Sequence, residues 1–381
     1  MTTEPPADDV PSPPPGVAEP PPPVPEPLPL AEPLTSPPLG PPIPPVESTR
    51  RLVGASFDLL ARASEEMRAA SFYIGAIILG TVGPFALASW GIQVATLHRT
   101  VAEGDALMGG AAGGWYGLLA IPAVLGGFVA LVESRTMAAG ILGGRLAGRP
   151  LTVREALARS RMVFWRAVVA SIVAGVPLAV AQGTVEAILA AAFNLTGEAT
   201  VLGSIIVTAL IGAPLAYLLS GVVLGDVDPF EALRRSVRVF RARKMAAVLV
   251  ALLETGAGLL ILFGLSAGLD IALRVLDALG LGPDSGPAGL ILVTLGVAAA
   301  TFALGTLIYT VSAIVLAPQI VMFVGLTRAT MGLDHVRPGG DRAPDERRAG
   351  ERPFRMLGRG MVAAIVVAWV VLLLLLTVLV Q

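Results

Sequence analysis

Apolar residues run along this chain in blocks of about 20 or more, parted by short stretches where arginine and proline gather. Each block is long enough for a helix to cross the ~30 Å hydrocarbon layer of a bilayer. The pattern predicts seven spans, near 72–97, 115–142, 165–193, 201–224, 245–270, 289–326 and 361–380. The sixth is too long for one straight crossing, so it is expected to tilt, or to bend near Pro318 and emerge as a helix. Ahead of the first span, SFDLLARASEEMRAA from Ser56 has the spacing of an amphipathic helix.

One polar–apolar pattern is written twice. TVREALARSRMVFW from Thr152 returns as DPFEALRRSVRVFR from Asp228. On a helix, Ala156, Leu157, Ser160, Val163 and Phe164 share one face, and Ala232, Leu233, Ser236, Val239 and Phe240 repeat it identically. Arg154, Arg159 and Arg161 lie opposite in the first copy, and Arg234, Arg235, Arg238 and Arg241 in the second. Thr152 with Glu155 makes a capping box, and Asp228 with Glu231 a variant of it. A helix with one apolar and one arginine face lies in the membrane interface, where each arginine near anionic headgroups is worth about 1 kcal/mol. Each copy therefore reads as an elbow that runs along a leaflet and then turns into a span. Such an elbow is either a headgroup contact or only a device that fixes helix orientation.

The repeat extends past the elbow, because Ala213-Pro214 and Ala317-Pro318 are each followed by a glycine, Gly221 and Gly325, at the same distance. This gives three elbow–span–span units at 51–148, 149–225 and 226–333, within a membrane domain at 49–333. The first elbow is the most diverged: Leu59, Leu60, Ala63 and Met67 keep the apolar face and Glu66 interrupts it. The seventh span, within 361–381, stands outside the repeat and has no small-residue face. It reads as a lipid-facing anchor or a partner-binding helix.

Composition agrees with an all-α polytopic membrane protein: 54% of the 381 residues are hydrophobic and 14% charged, against about 25% charged in soluble domains. With no cysteine, disulfides, zinc-thiolate sites and thiol catalysis are excluded. Residues 1–48 hold 20 of the 32 prolines and are read as a disordered cytoplasmic tail, not a signal peptide. That tail is a spacer or a ligand for a proline-binding partner. Most of the arginines lie beside the repeated motif and in the linker 334–360, whereas the loops from His98, Asn194 and Asp277 are acidic or neutral. The positive-inside rule then makes the motif side and the N-terminus cytoplasmic and places Gln381 outside. The sequon at Asn194 is taken as chance.

The stretches FDLLARASEEMRAASFYIGAI from Phe57, GRPLTVREALARSRMVFWR from Gly148 and LGDVDPFEALRRSVRVFRA from Leu224 carry a resemblance. Over residues 51–333 the chain resembles the glycerophosphoryl diester phosphodiesterase membrane-domain group of bacterial integral membrane proteins. The resemblance implies a bacterial cytoplasmic-membrane module without the phosphodiesterase itself. No segment here is long and polar enough to hold that domain's histidines and clustered carboxylates.

Charges inside the apolar runs are candidates for function, since a carboxylate in hydrocarbon is costly unless paired or protonated. Glu254 falls near mid-bilayer, Glu186 toward the outer end of the third span, and Glu133 and Arg135 near the inner end of the second. Glu133 and Arg135, two residues apart, do not share a helix face, so each needs another partner. Glu254 reads either as a structural carboxyl bonded to a neighbouring helix (Gln182 is one candidate) or as a protonation or substrate site in a carrier. No Walker, HExxH or GxSxG motif occurs, and no two polar groups are expected at one depth, so an enzyme is the least favoured class. The leading expectation is a non-catalytic scaffold contacting anionic lipids or partner proteins, with no cofactor, metal or nucleic acid. The alternative is a carrier of a small or lipid-like solute that uses Glu254.

Overall fold

The computed structural model describes residues 49–91, 106–193, 198–258, 286–332, 335–339 and 359–380. The proline-rich tail 1–48, the loops at 92–105 and 194–197, residues 259–285 and most of the linker 334–360 lie outside these. So do the expectations that fall on them.

Every regular element among the described residues is helical. In chain order they are α1 (Thr49–Arg62), α2 (Ser64–Thr81), α3 (83–91), α4 (Ala106–Leu146), α5 (Val153–Phe193), α6 (Glu198–Gly212), a 3-10 turn (Ala213–Leu215), α7 (Leu218–Leu224), α8 (Pro229–Ala242), α9 (244–258), α10 (Gly286–Met331) and α11 (Arg359–Val380). Five stretches are long and apolar enough to cross a membrane: Ser64–Gly91, Ala120–Leu146, Val153–Ile188, Ile205–Leu224 and Gly289–Ala329. They correspond to five of the seven expected spans. The fifth expected span is described only to residue 258, and the seventh forms α11, whose apolar stretch Ile365–Leu374 is shorter.

α10 is the hub, packing most extensively on α2 and α4, while α5 joins α4 to α6 and α7. Its crossing with α2 is set by glycine against glycine: a Cβ on Gly305 would stand 2.7 Å from Gly75 Cα and 2.9 Å from the Ile74 carbonyl. Only hydrogen at both positions permits that approach, which is how membrane helices gain contact without a hydrophobic drive between them. α10 continues through Pro318 without a break in the helix. Its 46 residues span ~69 Å, so it reaches well beyond a single hydrocarbon layer.

The two copies of the repeated motif are built differently. The first is the opening of α5, one 41-residue helix with no turn between elbow and span. The second is the separate helix α8, which ends at Arg243 (φ −145°, ψ 65°) before α9 begins. Their shared faces are nonetheless both turned inward: Ala156, Ser160, Val163 and Phe164 are buried, as are Ala232, Ser236 and Val239. Phe164 on the shared face is buried, whereas Trp165 beside it is 57% exposed. The two prolines placed in register also diverge, since Pro214 sits at the 3-10 break and Pro318 inside a continuous helix.

Ser236 explains how the break at Pro214 is tolerated. Its hydroxyl donates to the Pro214 carbonyl at 2.6 Å and accepts from the Tyr217 N–H at 3.2 Å, pairing two backbone groups that the interrupted helix leaves without their usual partners. Ser160, its counterpart, instead shares a 2.5 Å hydrogen bond with Thr136 of α4.

α11 rests on the bundle through one face. The small residues lie on the receiving helices: Gly80 faces Ile365 and Gly83 faces Trp369, each closer than a Cβ would allow. Trp369, Leu372 and Leu373 join Leu87, Leu290 and Val293 in a small second core, while Val366, Val367, Val370 and Val371 remain exposed.

Candidate functional site

Arg135, Glu254 and Gln319 come from α4, α9 and α10 and meet inside the bundle. Arg135 donates from Nη2 to Glu254 Oε1, and Gln319 Nε2 donates to Glu254 Oε2 at 3.1 Å. All three sit at one depth. At 1.5 Å per residue, Arg135 is ~16 Å before the end of α4, Glu254 ~15 Å after the start of α9, and Gln319 ~18 Å before the end of α10. Arg238 of α8 touches Met331 at 3.8 Å, which puts the end of α10 beside the elbow. The cluster therefore lies ~15–18 Å along the helices from that end. The expectation that no polar groups converge at one depth is thereby overturned.

Helix geometry supplies the reason. Glu133 and Arg135 point to different neighbours, as their two-residue spacing requires. Arg135 turns to α9 and Glu133 to α2, where Tyr73 donates to Glu133 Oε2 at 3.2 Å and accepts from Arg161 Nη2 at 3.3 Å. Glu133 is fully buried. Glu186 joins neither group; it accepts from Gln182, one turn back on α5, at 3.0 Å on an exposed surface.

The triad opens onto a cavity of about 200 Å³ between α5, α6, α9 and α10. Ser171, Thr208 and Thr255 line it with Arg135, Glu254 and Gln319, and Leu178, Leu215 and Leu219 supply apolar wall. The Ser171 and Thr255 hydroxyls donate to carbonyls one turn back on their own helices. Thr208 Oγ1 is buried with no hydrogen-bond partner.

No family model, curated protein or solved structure matches this chain. What the site can do is therefore argued from its own chemistry.

The arginine face divides into two sets. Arg154, Arg234, Arg238 and Arg241 are exposed, with Arg234 3.7 Å from Glu231. Arg159, Arg161 and Arg235 are drawn inward. Arg159 and Arg166 each hold Asp226 Oδ1 at 2.9 Å, with side chains only 9% and 14% exposed. Arg161 bonds to Tyr73, and Arg235 lies 3.4 Å from Glu231 at 15% exposure. Arg159 and Arg161 are thus engaged within the bundle, whereas the acceptor of Arg235, Glu231, keeps 41% of its side chain exposed. At the start of α8 the Asp228 side chain makes no cap bond. The box at Thr152 does form, with Thr152 N to Glu155 Oε2 at 2.8 Å and Glu155 N to Thr152 Oγ1 at 3.3 Å.

Asp226 is the acid that sequence reasoning missed. It follows α7 with φ +48°, the only non-glycine residue at positive φ among those described, and is 7% exposed. Burial alone would raise its carboxyl, but Arg159 and Arg166 outweigh that and hold it below the usual aspartate value. A second missed pair, Glu66 with Arg145, fastens α2 to the end of α4. The residue that interrupts the apolar face of the first elbow is thus an internal tie.

Proposed function

We propose that the chain is a non-catalytic membrane scaffold that gathers anionic lipids, or an acidic partner, along the leaflet where its elbows lie. One observation carries this reading: α8 buries Ala232, Ser236 and Val239 while presenting Arg234, Arg238 and Arg241 outward. Arg154 extends the same exposed set on α5. Within the proposal the chain is a bacterial inner-membrane protein with seven spans and three elbow units, kin to the phosphodiesterase membrane-domain group. Its arginine side faces the cytoplasm, and the tail or seventh span is available to a protein partner.

The test is lipid analysis of the full chain extracted with polymer into native nanodiscs. Wild type should carry anionic lipid in excess of the surrounding membrane. The variant R154Q/R234Q/R238Q/R241Q should lose that excess several-fold, since each arginine near the surface contributes about 1 kcal/mol. Equal enrichment in both proteins would sink the headgroup reading.

The cavity at Glu254 favours a second reading, a carrier for a small solute. Glu254→Gln should then abolish flux in proteoliposomes while leaving the protein folded, and undiminished flux removes Glu254 from any carrier mechanism.

A further inference from the structure

The geometry points to the Arg135–Glu254–Gln319 cavity as a binding site for a small zwitterion, one carrying an ammonium and an oxyanion a few atoms apart. The inference is independent of the headgroup reading. It shares its cavity with the carrier reading but requires no flux.

Charge balance is the first argument. An arginine and a glutamate at mid-depth sum to zero, and a charge left unpaired there costs several kcal/mol. A lone anion taking Arg135 strands Glu254, and a lone cation taking Glu254 strands Arg135. A zwitterion replaces one ion pair by two and buries no net charge.

The pair is also poised for exchange. Arg135 and Glu254 keep 30% and 34% of their side-chain surface exposed, against 7% for Asp226. Among the described residues, Arg135 commits one of its five N–H donors to a carboxylate, so donors remain for an oxyanion. Gln319 holds the far oxygen of Glu254, leaving the carboxylate oriented while an ammonium takes the place of Arg135 on Oε1.

Thr208 is the second, separate sign. A buried hydroxyl without a partner forfeits about 1–3 kcal/mol, and this one lines the cavity. It would be satisfied by an oxyanion or ammonium within reach of it.

Size narrows the class. At about 200 Å³ the cavity falls below the ~300–1,000 Å³ of pockets for drug-sized ligands. It suits a free amino acid or the headgroup of a zwitterionic lipid. Both sources present the same chemistry.

The experiment uses the full chain in nanodiscs and reads thermal stabilisation, which grows with ligand concentration over Kd. In the soluble arm, glycine, β-alanine and γ-aminobutyrate are compared with propionate and propylamine. In the lipid arm, discs of phosphatidylethanolamine are compared with discs of phosphatidylglycerol. A free zwitterion that stabilises where neither single-charge compound does identifies a soluble ligand. Stabilisation confined to the ethanolamine lipid identifies a headgroup. In either case R135Q/E254Q, which removes both charges together and so strands neither, should weaken the response at least tenfold. The proposal is overturned if no zwitterion acts in either arm, if propionate or propylamine acts as well, or if the double variant responds like wild type. Binding without flux would retire the carrier reading and leave the site standing.

Discussion

Asp226→Asn isolates one charge at one point of the fold. Asparagine occupies the left-handed region about as readily as aspartate, so the φ of +48° is preserved and the change is electrostatic. It leaves the Arg159 and Arg166 guanidiniums, 9% and 14% exposed, facing a neutral amide. Breaking a buried ion pair from one side costs roughly 3–5 kcal/mol. Arg159 also donates to the Val223 carbonyl at 3.3 Å, which favours the lower end, about 3 kcal/mol or a factor of about 150 in the folding constant. Unfolding in mixed micelles, followed by circular dichroism, measures the difference. Adding R159L and R166L to the variant should recover part of the loss, because the stranded charges go with it. Because the folded carboxyl titrates below the usual 3.8, its contribution is complete above about pH 4 and lost as pH falls through the folded value. Wild type and D226N should therefore converge in acid. A loss under about 1 kcal/mol at pH 7, or a gap that persists unchanged to pH 3, would refute this account of Asp226.

Gly305→Ala should lower the melting temperature markedly, since its Cβ meets backbone on α2 and overpacking costs about 1–3 kcal/mol. Gly127→Ala, with nothing within 4 Å, should not; equal effects would show that glycine contact does not set the α2–α10 crossing. Ser236→Ala leaves the Pro214 carbonyl and the Tyr217 N–H unpaired and should cost about 1–3 kcal/mol. Ser160→Ala should cost less, because Thr136 keeps its bond to the Val132 carbonyl at 2.9 Å; thermal melts of the two variants giving the reverse order would contradict the role assigned to Ser236.

Hydropathy alone reveals that this chain is helical and built to cross a membrane, because apolar run length is a local property. The inward faces of both elbows were legible for the same reason: Ala156, Ser160, Ala232 and Ser236 lie where helical spacing puts them. Partner choice was not. That Arg135 needed a partner off its own helix could be read from its distance to Glu133, but choosing Glu254 and Gln319 requires three helices distant in sequence to be placed side by side. Arg159 and Arg161 looked like surface charge because the acid and the phenol that claim them, Asp226 and Tyr73, belong to other elements. The Gly75–Gly305 crossing was likewise hidden among 43 glycines, each neutral in the apolar pattern. One signal was available, in that Asp226 sits beside Gly225 between span and elbow, where a turn residue with a charge suggests a tie to the neighbouring arginines.

The unbroken course of α5 makes its two ends a single lever. Exposed Arg154 and Ser171 in the cavity wall stand 17 residues apart on it, ~25 Å along one rod, with no break in the helix between them. α8 instead ends at Arg243, where the chain leaves helical geometry before α9 begins. The second copy reaches the same wall by another route, because Ser236 of α8 holds Pro214 and Tyr217, which flank the cavity residues Leu215 and Leu219. One sequence pattern thus meets the cavity wall in two ways, through a continuous rod and through a hydroxyl clasp.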